Sequence, residues 1–393
     1  MGSRAGRWRL VVVGGGSAAA VQVRRGDVPP EEILVVAERL GTGMAFLGRS
    51  TLQSYAEELL VSRTSGELRA MLPAGELRPT AAEYDAYVKE SLMKSGACVT
   101  LARVLDIRRD EDGFVLALRT SGGERRQVYA DAVVLATGST PRKPPAQWQA
   151  AGAITFDTVY RELSRCDTGR WAGNSVIIVG AGNSALQTAA LMAPDARDVT
   201  VLANNYVGMY PVESDDRFAW RAPSQLAYEL VVKSSRECGR RPWAVPCVRH
   251  LIYESLDPVD DEVRWHYREA GNLNRLGSHS LPGRCRHAQG RMDGDGVWQE
   301  SRKRDTAVVV WAAGSSPVYP PGELLTSMRR KPDNTLPHDA LGQTDVPGLY
   351  VTGACAGQRS VNETEPARTR PTVCVLGSRE PSKVEQVSVT ADV

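Results

Sequence analysis

Nowhere in this chain do two cysteines stand as a C-x-x-C pair. Its seven, at positions 98, 166, 238, 247, 285, 355 and 374, are odd in number and scattered. That spacing excludes a disulfide framework, a ligand set for structural zinc and a thioredoxin-type redox pair, and leaves packing as the default role of each thiol. Long apolar runs are missing too. None approaches the roughly 18–20 residues that span a bilayer, so no membrane partner is expected. The first nine residues run straight into an apolar strand without the layout of a signal peptide, which points to the cytoplasm. Charge of one sign is also lacking: 48 Lys and Arg face 46 Asp and Glu, a net +2, too little to imply a nucleic-acid partner. Arginine pairs at 24–25, 240–241 and 329–330 are read as solvated faces. The five histidines (His250, His266, His279, His287, His338) are dispersed, and no metal site is expected.

What is present is a composition of 42% hydrophobic and 24% charged residues over 393 positions, enough for two or three globular domains. Two segments repeat one design. An apolar run at 10–13 leads into Gly14-Gly15-Gly16-Ser17-Ala18-Ala19, and one at 176–179 leads into Gly180-Ala181-Gly182-Asn183-Ser184-Ala185. Each is followed by an apolar helical stretch and then a further strand, at 33–37 and 199–202. Continuous apolar runs read as buried parallel strands, and a glycine turn into a helix opens a βαβ unit. Further strands at 132–136 and 307–311 end in the turns Thr137-Gly138 and Ala313-Gly314, and one at 348–351 runs into Thr352-Gly353-Ala354. Segments 101–109 and 113–119 read as a hairpin or meander. The stretch 268–304 shows little periodicity and reads as loop, and the tail after about 381 as disordered.

In the first loop Gly14 allows the tight turn, Gly16 lets backbone approach a pyrophosphate, and Ala19 keeps helix against strand; the helix N-terminus, with Ser17 and Ala18, offers N–H groups to the phosphates. Glu38, ending the second strand, is placed to hold ribose hydroxyls. The second loop repeats this with Gly180, Gly182, Asn183, Ser184 and Ala185. After its second strand, however, come Asn204 and Asn205, with no acid. A carboxylate there would favour NAD and repel the 2′-phosphate of NADP, so NADPH is expected ahead of NADH, with Asn204 as a phosphate donor or as a structural residue only.

Together these motifs resemble the two-dinucleotide-binding-domain flavoproteins. The resemblance implies an α/β fold of two Rossmann-like domains. The NAD(P)H-binding domain (166–305) would be inserted in an FAD-binding domain (1–165 and 306–393), with a small helical substrate region at about 215–260. FAD would sit at the first loop, aided by Thr137, Gly138, Gly314, Gly353 and Ala354. Many members carry an acid where Ala354 stands. Within the superfamily, Gly41-Thr42-Gly43-Met44, the following Leu52-Gln53 and the TAAEYDAY segment at 80–87 are similar to the class B ornithine and lysine N-hydroxylases. Ser214-Asp215-Asp216-Arg217-Phe218 is similar to the turn before their substrate helix. By that likeness Gln53 is the catalytic candidate, facing the flavin edge or capping a helix. Met44 packs on the isoalloxazine or in the core. Ser360, Asn362 and Thr364 fall in a loose counterpart of the family's substrate-binding C-terminal element, whose divergence implies a substrate other than ornithine or lysine.

The activity implied is N-hydroxylation of an amine or amino acid, for specialised biosynthesis, with NADPH, O₂ and a C4a-hydroperoxyflavin. Two alternatives stay open: an NAD(P)H-dependent flavin oxidoreductase or oxidase, and a flavin-binding protein without turnover. Dimers and tetramers are frequent in the family, so a homo-oligomer is among the expectations.

Overall fold

A computed structural model describes residues 7–43, 52, 54–64, 66–180, 182–203, 247–268, 291–292, 298–358, 361 and 364–369. The chain opens with β1 (Arg7–Val13), α1 (Ser17–Arg25) and β2 (Ile33–Ala37). The short α2 (Glu67–Ala70) and the longer α3 (Ala81–Met93) follow. Then come β3 (Cys98–Asp110), β4 (Gly113–Thr120) and β5 (Arg125–Leu135). In parallel register, β3, β2, β1, β5 and the late strand Leu349–Val351 lie side by side. The far ends of β3 and β5 run past this parallel part and are bridged by β4 in antiparallel pairing. One face of the sheet packs on α1 and α3 through Leu10, Val12, Ala19, Ala20, Tyr84 and Val88, and the other on the meander through Phe114, Leu116 and Leu118.

The second half repeats the plan. After β6 (Ser139–Pro141), α4 (Ala146–Ala150), β7 (Ile154–Thr155) and α5 (Phe156–Ser164) come β8 (Ser175–Val179), α6 (Asn183–Met192) and β9 (Asp198–Ala203). The remaining strands are β10 (Cys247–Val259), β11 (Glu262–Arg268), β12 (Arg291–Met292), β13 (Trp298–Lys303), β14 (Ala307–Trp311), β15 (Ser315–Pro317) and β16 (Leu349–Val351). The second sheet runs β12-β13-β11-β10-β9-β8-β14-β7. Its parallel order β10-β9-β8-β14-β7 matches β3-β2-β1-β5-β16 of the first, and β10, β11 and β13 form a second meander. Each sheet is thus a glycine-loop βαβ unit carrying its own antiparallel flap. No helix among the described residues is long and apolar enough to cross a membrane.

Three expectations need correction. The helical region expected to about 260 is strand over its last part: β10 pairs with β9 on one side and β11 on the other, and the portion at 215–246 lies outside the described residues. The stretch 268–304, expected as loop, contributes β12 and β13; the wholly buried Trp265 on β11 is the anchor that its polar neighbours concealed. The boundary expected near 305 falls in the wrong place, since β14 pairs with β8 and so belongs to the second sheet, as does β7 at 154–155. The connectors leaving the two small-residue turns, β6 and β15, pair with each other in a separate two-stranded ribbon.

Candidate functional site

The two glycine loops are geometric twins. Gly14 N donates to Val36 O at 2.8 Å, and Gly180 N to Leu202 O at 2.8 Å. Ala136 N donates to Val13 O at 2.8 Å, and Ala312 N to Val179 O at 2.8 Å. Gly14 (φ +127°) and Gly180 (φ +131°) both hold left-handed backbone, and a Cβ on either would lie 2.2 or 2.3 Å from the carbonyl oxygen of Ala136 or Ala312. Only glycine fits, because the strand carrying the Ala-Thr-Gly or Ala-Ala-Gly turn passes directly beneath.

The next loop glycine behaves differently. At Gly16 a Cβ would meet only Gly41 O at 3.6 Å, and at Gly182 nothing within 4 Å. Space is kept where a phosphate would rest. Helices α1 and α6 have no side-chain N-cap bond and no acid in the first turn, so their leading N–H groups and positive dipole ends have no anionic competitor. Ser17 and Ala18 stand half-buried at the head of α1 and Ser184 at the head of α6, while Ala19 and Ala185 are buried against their strands. Gly353 approaches so closely that its Cβ would sit 2.5 Å from the Ala18 methyl, bringing the terminal motif, with Ala354, onto the first loop. These residues fit two dinucleotides, with room for one diphosphate at each loop.

Glu38 is exposed just beyond β2 and pairs with Arg103 at 3.6 Å. The matching hydrogen bonds align Val36 with Leu202, and so Glu38 with Asn204, which lies outside the described residues. Gln53, Met44, Ser360 and Asn362 lie outside them too, as does the side chain of Asn183. Thr364 is buried and described. Thr137 and Gly138 end the crossing strand: the Thr137 hydroxyl bonds Val318 O and lies 3.2 Å from Cys355 Sγ. Gly138 O accepts from Val318 N at 3.1 Å, and Gly314 O from Arg142 N at 3.0 Å, so both turns are stitched to the paired connectors. Burial pushes the Cys355 thiol up, with the Thr137 contact and backbone partners opposing, and it stays a neutral packing group.

Among the described residues, several buried polar groups escaped the sequence reading, and three of them bear on the first loop. Gln22, wholly buried on α1, donates to Ala367 O at 3.1 Å and accepts from Ala367 N at 2.7 Å, tying the C-terminal segment to the first helix. Asp85 and Tyr84, adjacent on α3, face the loop after β2 and the start of α1. An apolar stretch interrupted by Gln, or an acid inside a helix, looks like surface in sequence; nothing short of the tertiary contact reveals otherwise.

The family model of pyridine nucleotide-disulphide oxidoreductases matches residues 8–216, from β1 past the second loop. The chain belongs to that family. It is an oxidoreductase, its cofactors are FAD and NAD(P)H, and its fold is that of the two-domain flavoproteins. No curated protein sequence matches it. Among solved structures, the bacillithiol disulfide reductase of Bacillus cereus is 14% identical, with 91% of this chain covering 94% of that one at a TM-score of 0.59. The FAD-bound cadaverine monooxygenase of desferrioxamine biosynthesis from Erwinia amylovora is 12% identical, with 96% and 100% covered and a TM-score of 0.59. A flavin-containing monooxygenase from Stenotrophomonas maltophilia is 18% identical, with 90% and 93% covered and a TM-score of 0.55. Identities this low speak for the fold alone.

Proposed function

We propose that the chain is an NADPH-dependent flavin monooxygenase that hydroxylates the nitrogen of an amine or amino acid. The observation that carries the reading is the cysteine inventory set against two intact nucleotide cradles. A member of this family that reduces disulfides needs thiols to take electrons from the flavin. Here no two cysteines have the spacing of a redox pair, and Cys98, Cys166 and Cys355 are each free, the first two exposed and the third buried. An acceptor must then come from outside, and O₂ with a small substrate answers that need. The similarity of Gly41–Met44, Leu52–Gln53 and the 80–87 segment to the N-hydroxylases supports an amine as the acceptor's partner.

In this reading FAD lies at Gly14, Gly16, Ser17, Ala18 and Ala19, with Glu38 on a ribose and Thr137, Gly138, Gly353 and Ala354 along its length. NADPH lies at Gly180, Gly182, Asn183, Ser184 and Ala185, with Asn204 in place of an acid. A flavin held there would supply the redox chemistry, with hydride drawn from a nicotinamide and one oxygen atom of O₂ going to the amine and the other to water. The protein's part is placement: helix N-termini neutralise the diphosphates, and the turns at 136–138 and 312–314 fix the loops against their sheets. Gln53 is the proposed polar contact at the flavin edge. The amine nitrogen must present a free lone pair, so the substrate reacts in its neutral form.

Aerobic turnover with NADPH, ¹⁸O₂ and a panel of amines and amino acids tests the proposal. The expected outcome is a hydroxylamine carrying one labelled oxygen atom. NADPH oxidation that yields hydrogen peroxide whatever amine is added contradicts it and favours a simple oxidase.

A further inference from the structure

The first cradle is braced from behind by one helix. α3 is capped at its start by Thr80, whose hydroxyl accepts from Glu83 N at 3.2 Å while the Glu83 carboxylate accepts from Thr80 N at 2.7 Å. This fixes where its first turns point. Asp85, nearly buried, accepts from Thr42 N at 2.6 Å and pairs with Lys89 at 2.7 Å. Its carboxylate fills the space over Gly41, where a Cβ would come within 2.2 Å of Oδ1. Gly41 N in turn donates to Gly15 O at 2.8 Å, and Arg39 donates to Thr42 O at 2.8 Å. Asp85 thus holds the turn that links Glu38 to the glycine loop.

Tyr84, one residue earlier, points to the loop's other end. It is wholly buried, and no described group makes a hydrogen bond of normal geometry to its hydroxyl. Burial raises the phenol's pKa, and Ser17, at the first position of α1, only partly offsets this. A phenol that stays protonated can donate to Ser17 Oγ, which leaves the serine's own proton free to turn outward. A buried hydroxyl without a partner is costly unless something completes its hydrogen bonding. An anion at the head of α1, drawing the Ser17 proton, would do so.

We propose that Asp85 and Tyr84 are positioning residues for FAD: Asp85 sets the ribose-side turn carrying Glu38, and Tyr84 orients the Ser17 hydroxyl toward the diphosphate. The proposal rests on FAD occupying the first loop and not on the hydroxylation chemistry. The test is the rate at which FAD leaves the holoenzyme on dilution, read from the rise of flavin fluorescence, beside the melting temperature of the FAD-free protein.

For Tyr84→Phe, release should quicken about fivefold while the FAD-free form melts close to wild type, because without FAD the hydroxyl makes no hydrogen bond of normal geometry. For Asp85→Ala, release should quicken tenfold or more. Asp85→Asn should fall between, since its amide oxygen can still accept from Thr42 N. NADPH affinity, read at the second loop, should stay unchanged in all three. Wild-type release rates in Tyr84→Phe and Asp85→Asn overturn the proposal. So does a loss of FAD matched by an equal fall in FAD-free melting temperature, which would mark plain packing. Failure of the hydroxylation assay leaves these rates untouched, and the two ideas are thereby separated.

Discussion

At the scale of single residues, the two glycines of each loop do separable jobs. Gly14 is required by the fold: its φ of +127° and the Ala136 carbonyl 2.2 Å from a would-be Cβ leave no room for a side chain. Gly182 is not required by the fold, since its Cβ position is open and its backbone extended at φ −76°, and the proposed NADPH site gives it its purpose. Two substitutions should therefore diverge. Gly14→Ala should destabilise the protein by several kcal/mol, about 1–3 of it from backbone strain alone, before any cofactor is considered. Gly182→Ala should leave the melting temperature of the ligand-free protein unchanged and weaken NADPH binding tenfold or more, since the methyl takes the place of the phosphate's closest approach. Calorimetry with an NADPH titration reads both. A Gly182→Ala protein that melts early yet binds normally would reverse the assignment. Residue-scale features were unevenly legible. Glycines declare themselves by pattern, while Gln22, Tyr84 and Asp85 earn their burial from chain segments tens to hundreds of positions away.

At the scale of elements, α1 and α6 share an unusual first turn. Acidic residues are favoured at helix starts by about 0.3–1 kcal/mol because they complement the dipole, yet neither helix has one. A carboxylate there would compete with a diphosphate for the same N–H groups. Ser184→Asp, at the second position of α6, should raise the ligand-free stability by roughly that amount and lower NADPH affinity at least tenfold. Thermal melts and NADPH fluorescence together check the opposite signs; a variant destabilised without NADPH, or binding it undiminished, contradicts the account. The central parallel strands were readable because they are buried on both faces and so appear as uninterrupted apolar runs, as in β2 and β8. The flap β10, β11 and β13 was not. One side carries exposed charge, among it Arg264 and Glu262, and on the other the apolar Val263 and Trp265 lie opposite a charged pair, Arg302 and the buried Glu300, which blurs the alternation. The first flap, with Phe114, Leu116 and Leu118 alternating along β4, showed the period clearly.

At the scale of the whole molecule, one βαβ plan with an antiparallel flap has been used twice, and the two copies are joined by connectors that pair with each other, β6 with β15. Those connectors leave directly from the turns at Gly138 and Gly314, which also floor the two glycine loops. On the proposed reading each copy would hold one nucleotide at the carboxyl ends of its strands, and electrons would have a route only with both filled. The sequence motifs sufficed for this outline; the exchange of β7 and β14 into the second sheet did not emerge, because a two-residue strand and a boundary strand carry too little pattern. The central claim, two cradles serving one electron path, is tested most directly by anaerobic titration of the purified protein with NADPH while the flavin's visible absorption is followed. The account predicts one tightly held FAD per chain that NADPH bleaches completely, and that bleaches tenfold or more slowly in Gly182→Ala at the same subsaturating NADPH concentration. A colourless chain that takes up no added FAD, or a bound flavin that NADPH leaves oxidised in the wild type, would contradict it.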